Sequence, residues 1–206
     1  MKALITVIII TSFSLSFTSG STAQTQVQSN TLDANSRSEG ELNSQSINSL
    51  EMQANSKIKQ FSGQLKTALV GAIQAEGFAS AVKVCKEQAP EIAKSVSKDG
   101  WTLARTSLKT RNAANKPDAW EQEKLQDFAK KFTEGVSPNQ LSAIDVNENR
   151  FRYMKAIPTG QVCLACHGRN VEPSLKATID KNYPNDKAIG YTLKDIRGAF
   201  TLRKSL

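Results

Sequence analysis

The strongest constraint on this chain lies in residues 161–170, QVCLACHGRN, where two of its three cysteines and its only histidine fall within five consecutive positions, Cys163-Leu164-Ala165-Cys166-His167. Any fold must leave these three side chains convergent and chemically available. Two thiols three positions apart can add across the two vinyl groups at a porphyrin edge, while the adjacent imidazole swings beneath the ring to meet the iron. Cys-x-x-Cys-His is accordingly the attachment signature of c-type haem. The residues predict one covalently attached haem c, with Cys163 and Cys166 as thioether anchors and His167 as the proximal ligand.

Three other chemistries compete for the same residues. A thioredoxin-like dithiol also uses Cys-x-x-Cys, but at a helix start in a βαβ unit and with no need of the histidine. Zinc could draw on Cys85, Cys163, Cys166 and His167 as a Cys₃His set. Adjacent Cys166 and His167 would then both have to reach one small ion, which is strained. A disulfide between Cys163 and Cys166 leaves His167 and Cys85 without a role. Haem is the reading retained, and a zinc-binding structural protein is the remote alternative.

The compartment agrees with it. Met1-Lys2 precedes an apolar run from Ala3 to Ile10 that continues to Phe17, followed by small residues from Ser19 to Ala23. That is the pattern of a secretory signal peptide, assigned to residues 1–23. The run is shorter than the roughly 20 apolar residues of a membrane span, so no stable anchor is expected after cleavage. No cysteine precedes Cys85 to carry an acyl group. The expectation is a periplasmic protein, in the kind of compartment where c-type haem is attached. Its formal charge falls from +8 to +7 when Lys2 leaves with the leader. An exported basic chain has little access to nucleic acid, and the excess suits an acidic protein partner or simply a solvated surface.

Residues 24–50 are rich in Gln, Ser, Asn and Thr, a composition that buries too little apolar area to offset chain entropy. They read as a flexible tether before a single domain at 51–206. Ile58, Phe61, Leu65, Leu69 and Ala72 mark one face of a helix ending near Gly77. Phe78, Ala81, Val82 and Cys85 mark a second, and Pro90 opens a third that closes at Lys98-Asp99-Gly100. Residues 101–112 read as a strand. Pro117, Asp118 and Glu121 suit the first turn of a helix with Leu125, Phe128 and Phe132 inward. A strand over 150–158, a short helix around 174–181, a turn at 183–186 and a strand through 198–202 complete an α+β pattern with an antiparallel sheet.

A sole histidine excludes bis-histidine ligation within one chain. The other axial position is open to Met52, Met154, Cys85, a lysine or nothing. No methionine follows the motif, which disfavours the architecture of small electron-carrying cytochromes. Cys85 is a lone thiol on an apolar helix face, and its spacing leaves iron ligand and buried core residue equally open.

Three blocks, RTSLKTRNAANKPDAWE (105–121), RFRYMKAIPTGQVCLACHG (150–168) and YPNDKAIGYTLKDIRGAF (183–200), resemble a family of bacterial exported haem proteins and sensor-kinase input modules long carried as a domain of unknown function. The resemblance covers nearly everything after the tether. It implies a PAS-like fold, an antiparallel sheet with N-terminal and flanking helices around the attached haem, and His/Cys axial ligation with Cys85 as the distal thiolate. Ala113 and Lys194 depart from the family pattern, where Pro and Gly are usual. Arg105, Arg111, Arg152 and Arg197 are candidate propionate partners, because a planar guanidinium suits a carboxylate.

With a thiolate ligand, ferric iron and the porphyrin dianion sum to zero charge, and reduction leaves a net negative core. Cys85 is then expected to loosen and take a proton, giving a redox or small-ligand sensor. The alternative is a small soluble electron-transfer cytochrome c. Either needs a redox or signalling partner that the sequence does not identify. No enzymatic activity is expected, since no distal histidine or other obvious acid–base group is present; a peroxidase stands third.

Overall fold

The structure is a computed structural model, and it describes residues 43–206. The expected signal peptide and most of the expected tether lie outside the described residues. Asn43 accepts the Ser46 amide and opens helix α1 (Ser44–Glu76), which stops at Gly77 with φ of 81°. The expected tether boundary at residue 50 is therefore corrected: residues 44–50 are helical, and Leu50 and Ala54 extend the buried stripe of Ile58, Phe61 and Leu65. Polar neighbours had hidden two further turns of the same apolar period.

Helix α2 (Phe78–Lys83), a π turn (Val84–Gln88) and α3 (Ala89–Val96) form one continuous run; α3 opens at Pro90 as expected, but it is joined to α2 through the π turn. Proline has no amide for the carbonyl four residues back, here Lys86, and its ring crowds that carbonyl. The turn widens instead, and the Ala89 amide donates to the Val84 carbonyl five residues back. Cys85 sits inside this π turn.

Strand β1 (Trp101–Thr106) ends six residues before the expected limit. Helix α4 (Ala119–Thr133) begins with the reciprocal capping box of Asp118 and Glu121. The chain continues through β2 (Ser142–Asn147), β3 (Arg150–Pro158), α5 (Leu164–His167), α6 (Pro173–Asn182) and β4 (Ile196–Ser205). The four strands form one antiparallel sheet in the order β1-β4-β3-β2, so the α+β class with flanking helices is the one expected. Phe151 and Tyr153 pack toward α1 and α3, with Trp101, Leu103 and Leu202. Met154 and Ala156 belong to a second cluster, with Leu125 and Phe128 of α4. Because β3 is covered on both faces its burial is nearly continuous along the strand.

Gly198 of β4 lies tight against the end of β1. A Cβ there would lie 2.5 Å from the Thr106 carbonyl oxygen and 3.3 Å from the Ser107 Cβ. Gly198→Ala is therefore expected to part the strands at the cavity edge and destabilise the protein by about 1–3 kcal/mol. Thermal unfolding followed by circular dichroism measures this, and an unchanged melting curve would mean the strands yield freely.

Candidate haem site

The end of β3 delivers the chain to a 3₁₀ turn (Gln161–Cys163) and then to α5, a single helical turn. Cys163 closes the first, and Cys166 and His167 lie in the second. Gly168 ends α5 in extended backbone, its amide donating to Leu164 O at 2.9 Å. A Cβ on residue 168 would meet that same oxygen at 2.5 Å, so the position after the histidine requires glycine. His167 Nδ1 lies 2.7 Å from Ala188 O. A carbonyl only accepts, so Nδ1 carries the proton and Nε2 the free lone pair. Burial, reinforced by the charges of Arg197, Arg111 and Arg105, pushes the imidazole pKa down to about 3. The ring is thus neutral at physiological pH and able to act as a donor ligand.

Two adjoining cavities of about 570 and 440 Å³ meet at this histidine. The larger is walled by Leu65, Leu69 and Ile73 of α1, Phe78 and Val82 of α2, and Cys163 and Cys166. The smaller is more polar and reaches Asn112 and Asn115. Cys85, His167, Arg105, Arg111 and Arg197 line both. Cys85 is half-buried with a free thiol, as are Cys163 and Cys166. Burial pushes the Cys166 thiol pKa up, against the pull of Arg111.

The four arginines separate. Arg105 spans the two cavities with its guanidinium 5.5 Å above the Phe61 ring, and burial draws its pKa down. Arg111 donates through Nη2 to Cys166 O at 2.6 Å and to Asp186 Oδ2 at 3.0 Å. Its Nε is buried without an acceptor, and so is that of Arg197. Arg152 is the correction. It lies on the far side of the sheet, paired to Asp118 at 2.6 Å and Glu121 at 3.2 Å, its guanidinium 4.3 Å from the Trp120 ring centre. Alternation along β3 sends Phe151 and Tyr153 to one face and Arg152 with Met154 to the other, so Arg152 is no propionate partner.

Met154 is fully buried against α4 and Met52 is exposed on α1; neither lines either cavity. The zinc reading gains nothing, since among the described residues no three His, Cys, Asp or Glu side chains converge as a metal site. The dithiol reading loses its βαβ setting to the antiparallel sheet. The residues present do fit a flat apolar group with two carboxylates: an apolar slot, a neutral imidazole, a thiol on the same cavity wall, and orphaned buried guanidinium nitrogens. Sequence reasoning did not single out Asp186, Ala188 or Tyr183, the last of which lines both cavities. Ala188 acts through its backbone carbonyl, which has no sequence signature, and Asp186 read only as a turn residue.

The crystal structure of the cyanobacterial heme-protein Tll0287 matches with a TM-score of 0.54 at 22% identity, over 78% of this chain and 95% of that one. That likeness establishes a shared fold. No curated protein matches the chain. The Tll0287-like family model matches residues 26–205, from before α1 to the end of β4. With the motif, its cavity and both of its flanking blocks inside that span, the chain belongs to the Tll0287-like family.

Proposed function

We propose that this chain is an exported, periplasmic c-type haem protein that works as a redox or small-ligand sensor module. Cys163 and Cys166 anchor one haem, His167 and Cys85 face its iron, and Arg105, Arg111 and Arg197 receive its propionates. The observation that carries this reading is the arrangement at His167. Nδ1 is committed to Ala188 O, which leaves Nε2 for a cavity that Cys85 also lines and that holds arginine nitrogens without protein acceptors. The cyanobacterial protein that shares the fold is a heme-protein, which supports the same group here.

A haem held there supplies a one-electron redox centre. The chain's own part is to exclude water with the α1 and α2 side chains, to keep His167 neutral, and to hold or release a proton at Cys85 Sγ. A π turn departs from the regular helical bonding of its neighbours and is often found at functional sites, which suits a ligand that must be able to leave. A signalling or redox partner then reads the change.

The test is the optical and electron-paramagnetic-resonance spectra of the matured ferric protein, beside Cys85→Ala. A low-spin signal with thiolate character is expected in the wild type and is lost in the variant, with a changed midpoint potential. Unchanged spectrum and potential in Cys85→Ala would refute the ligation. Carbon monoxide binding on reduction favours the sensor. Retained ligands with rapid self-exchange favour the electron carrier, whose docking the basic surface could serve.

A further inference from the structure

Two segments far apart in sequence meet behind His167. Ala188 O accepts from His167 Nδ1 at 2.7 Å and lies 3.4 Å from Arg111 Nη2. Asp186, with its side chain 2% exposed, accepts Arg111 on Oδ2 at 3.0 Å and the Ala188 amide on Oδ1 at 2.8 Å. The other end of the arginine's reach is Cys166 O, the residue before the histidine. The backbone closes the same ring of contacts: Lys187 N donates to Thr110 O at 2.9 Å, and Tyr191 N to His167 O at 3.0 Å.

A neutral imidazole has two tautomers, and the acceptor opposite Nδ1 decides between them. A carbonyl on a loop is free to tip toward water unless the backbone around it is held. Here Asp186 anchors Ala188 through its amide, in the peptide unit just before the carbonyl's own, and it also holds Arg111, whose Nη2 lies 3.4 Å from the carbonyl oxygen. We propose that Asp186 and Arg111 are positioning residues for His167: together they fix the Ala188 carbonyl beneath Nδ1 and so set the tautomer that offers Nε2 to the cavity. Partners of this kind orient and tune a metal-binding histidine. The purpose of a free Nε2 rests on the haem reading above, but the tautomer itself does not.

Because His167 is the only histidine, nitrogen-15 NMR of the full chain prepared without haem reads one imidazole. The wild type is expected to show the Nδ1–H form alone. Asp186→Ala releases both the amide and the guanidinium, and is expected to convert this to a mixture of tautomers. Asp186→Asn keeps an oxygen for the Ala188 amide and is expected to restore most of the Nδ1–H form, which separates positioning from a general loss of fold, checked by circular dichroism. In protein matured with haem, Asp186→Ala is expected to raise the midpoint potential relative to Asp186→Asn, because a weaker Nδ1–H bond makes the imidazole a poorer donor to ferric iron. A wild-type tautomer in Asp186→Ala overturns the positioning role even if haem is attached. A mixed tautomer in a chain whose intact mass never includes haem overturns the haem reading and leaves the positioning role standing.

Discussion

Phe61→Ala is expected to destabilise the protein by about 3–5 kcal/mol, the range for removing a buried aromatic side chain. Phe61 is 1% exposed on α1. It meets Phe200 edge-on at 6.0 Å between ring centres, and the Arg105 guanidinium sits 5.5 Å above it. Alanine removes the transferred surface, an aromatic pair of about 0.5–1.5 kcal/mol and the face on which Arg105 rests. The side chain also borders both cavities, so the space it vacates joins them and cannot collapse without moving β4. Urea unfolding with an unchanged slope measures the loss. A loss below about 1 kcal/mol would mean that Phe61 leans on the cavity contents rather than on the core.

The second large effect lies on the other face of the sheet. Glu121 is a buried carboxylate that accepts the Asp118 amide at 3.1 Å, the Thr201 hydroxyl at 2.8 Å, Arg152 at 3.2 Å and Arg203 at 3.3 Å. Glu121→Ala strips the capping box, orphans the Thr201 hydroxyl and leaves the buried Arg152 on Asp118 alone. The expected cost is about 3–5 kcal/mol, as for breaking other buried ion pairs, again read from urea unfolding. Acid should weaken the same cluster. Burial pushes the Asp118 carboxyl up, but the Glu121 amide and the Arg152 and Arg203 guanidiniums outweigh it and hold the pKa below the usual value. A depressed folded pKa contributes stability above the unfolded carboxylate range near pH 4, and that stability is lost as pH falls through the folded value. A loss for Glu121→Ala no greater than that for Thr201→Val would show that the hydroxyl, not the ion pairs, matters there.

Where periodicity and end signals agreed, the sequence was readable. α4 carried its own punctuation in Pro117, Asp118 and Glu121, and β3 was legible over its full length. The start of α1 was not, because Gln, Ser and Asn dilute an apolar period that Ile47, Leu50 and Ala54 keep alive. β2, with the sequence SAIDVN on the sheet edge, has too few buried positions to announce itself. Pro90 pointed correctly to the start of α3, but nothing local announced the π turn that joins it to α2. At the site, the motif named its three residues outright. The arginines could not be sorted, since alternation says that Arg152 opposes Phe151 and Tyr153 but not which face holds the cavity. The Asp186–Arg111 clamp escaped for a different reason: it acts on a carbonyl that every residue possesses.

The position of β4 has a consequence for how the molecule comes together. β2 and β3 form a local hairpin that can zip early, Asn147 opposite Arg150. β1 has no such neighbour; it is joined to the sheet through β4, pairing Trp101 with Lys204 and Thr106 with Ala199. Closure of so long a loop precedes any reward from the contacts it makes, which slows folding. The strand joined by that long closure, β1, is also the one that brings Arg105 to both cavities, so the cavity gains that wall only when distant parts of the domain have found each other.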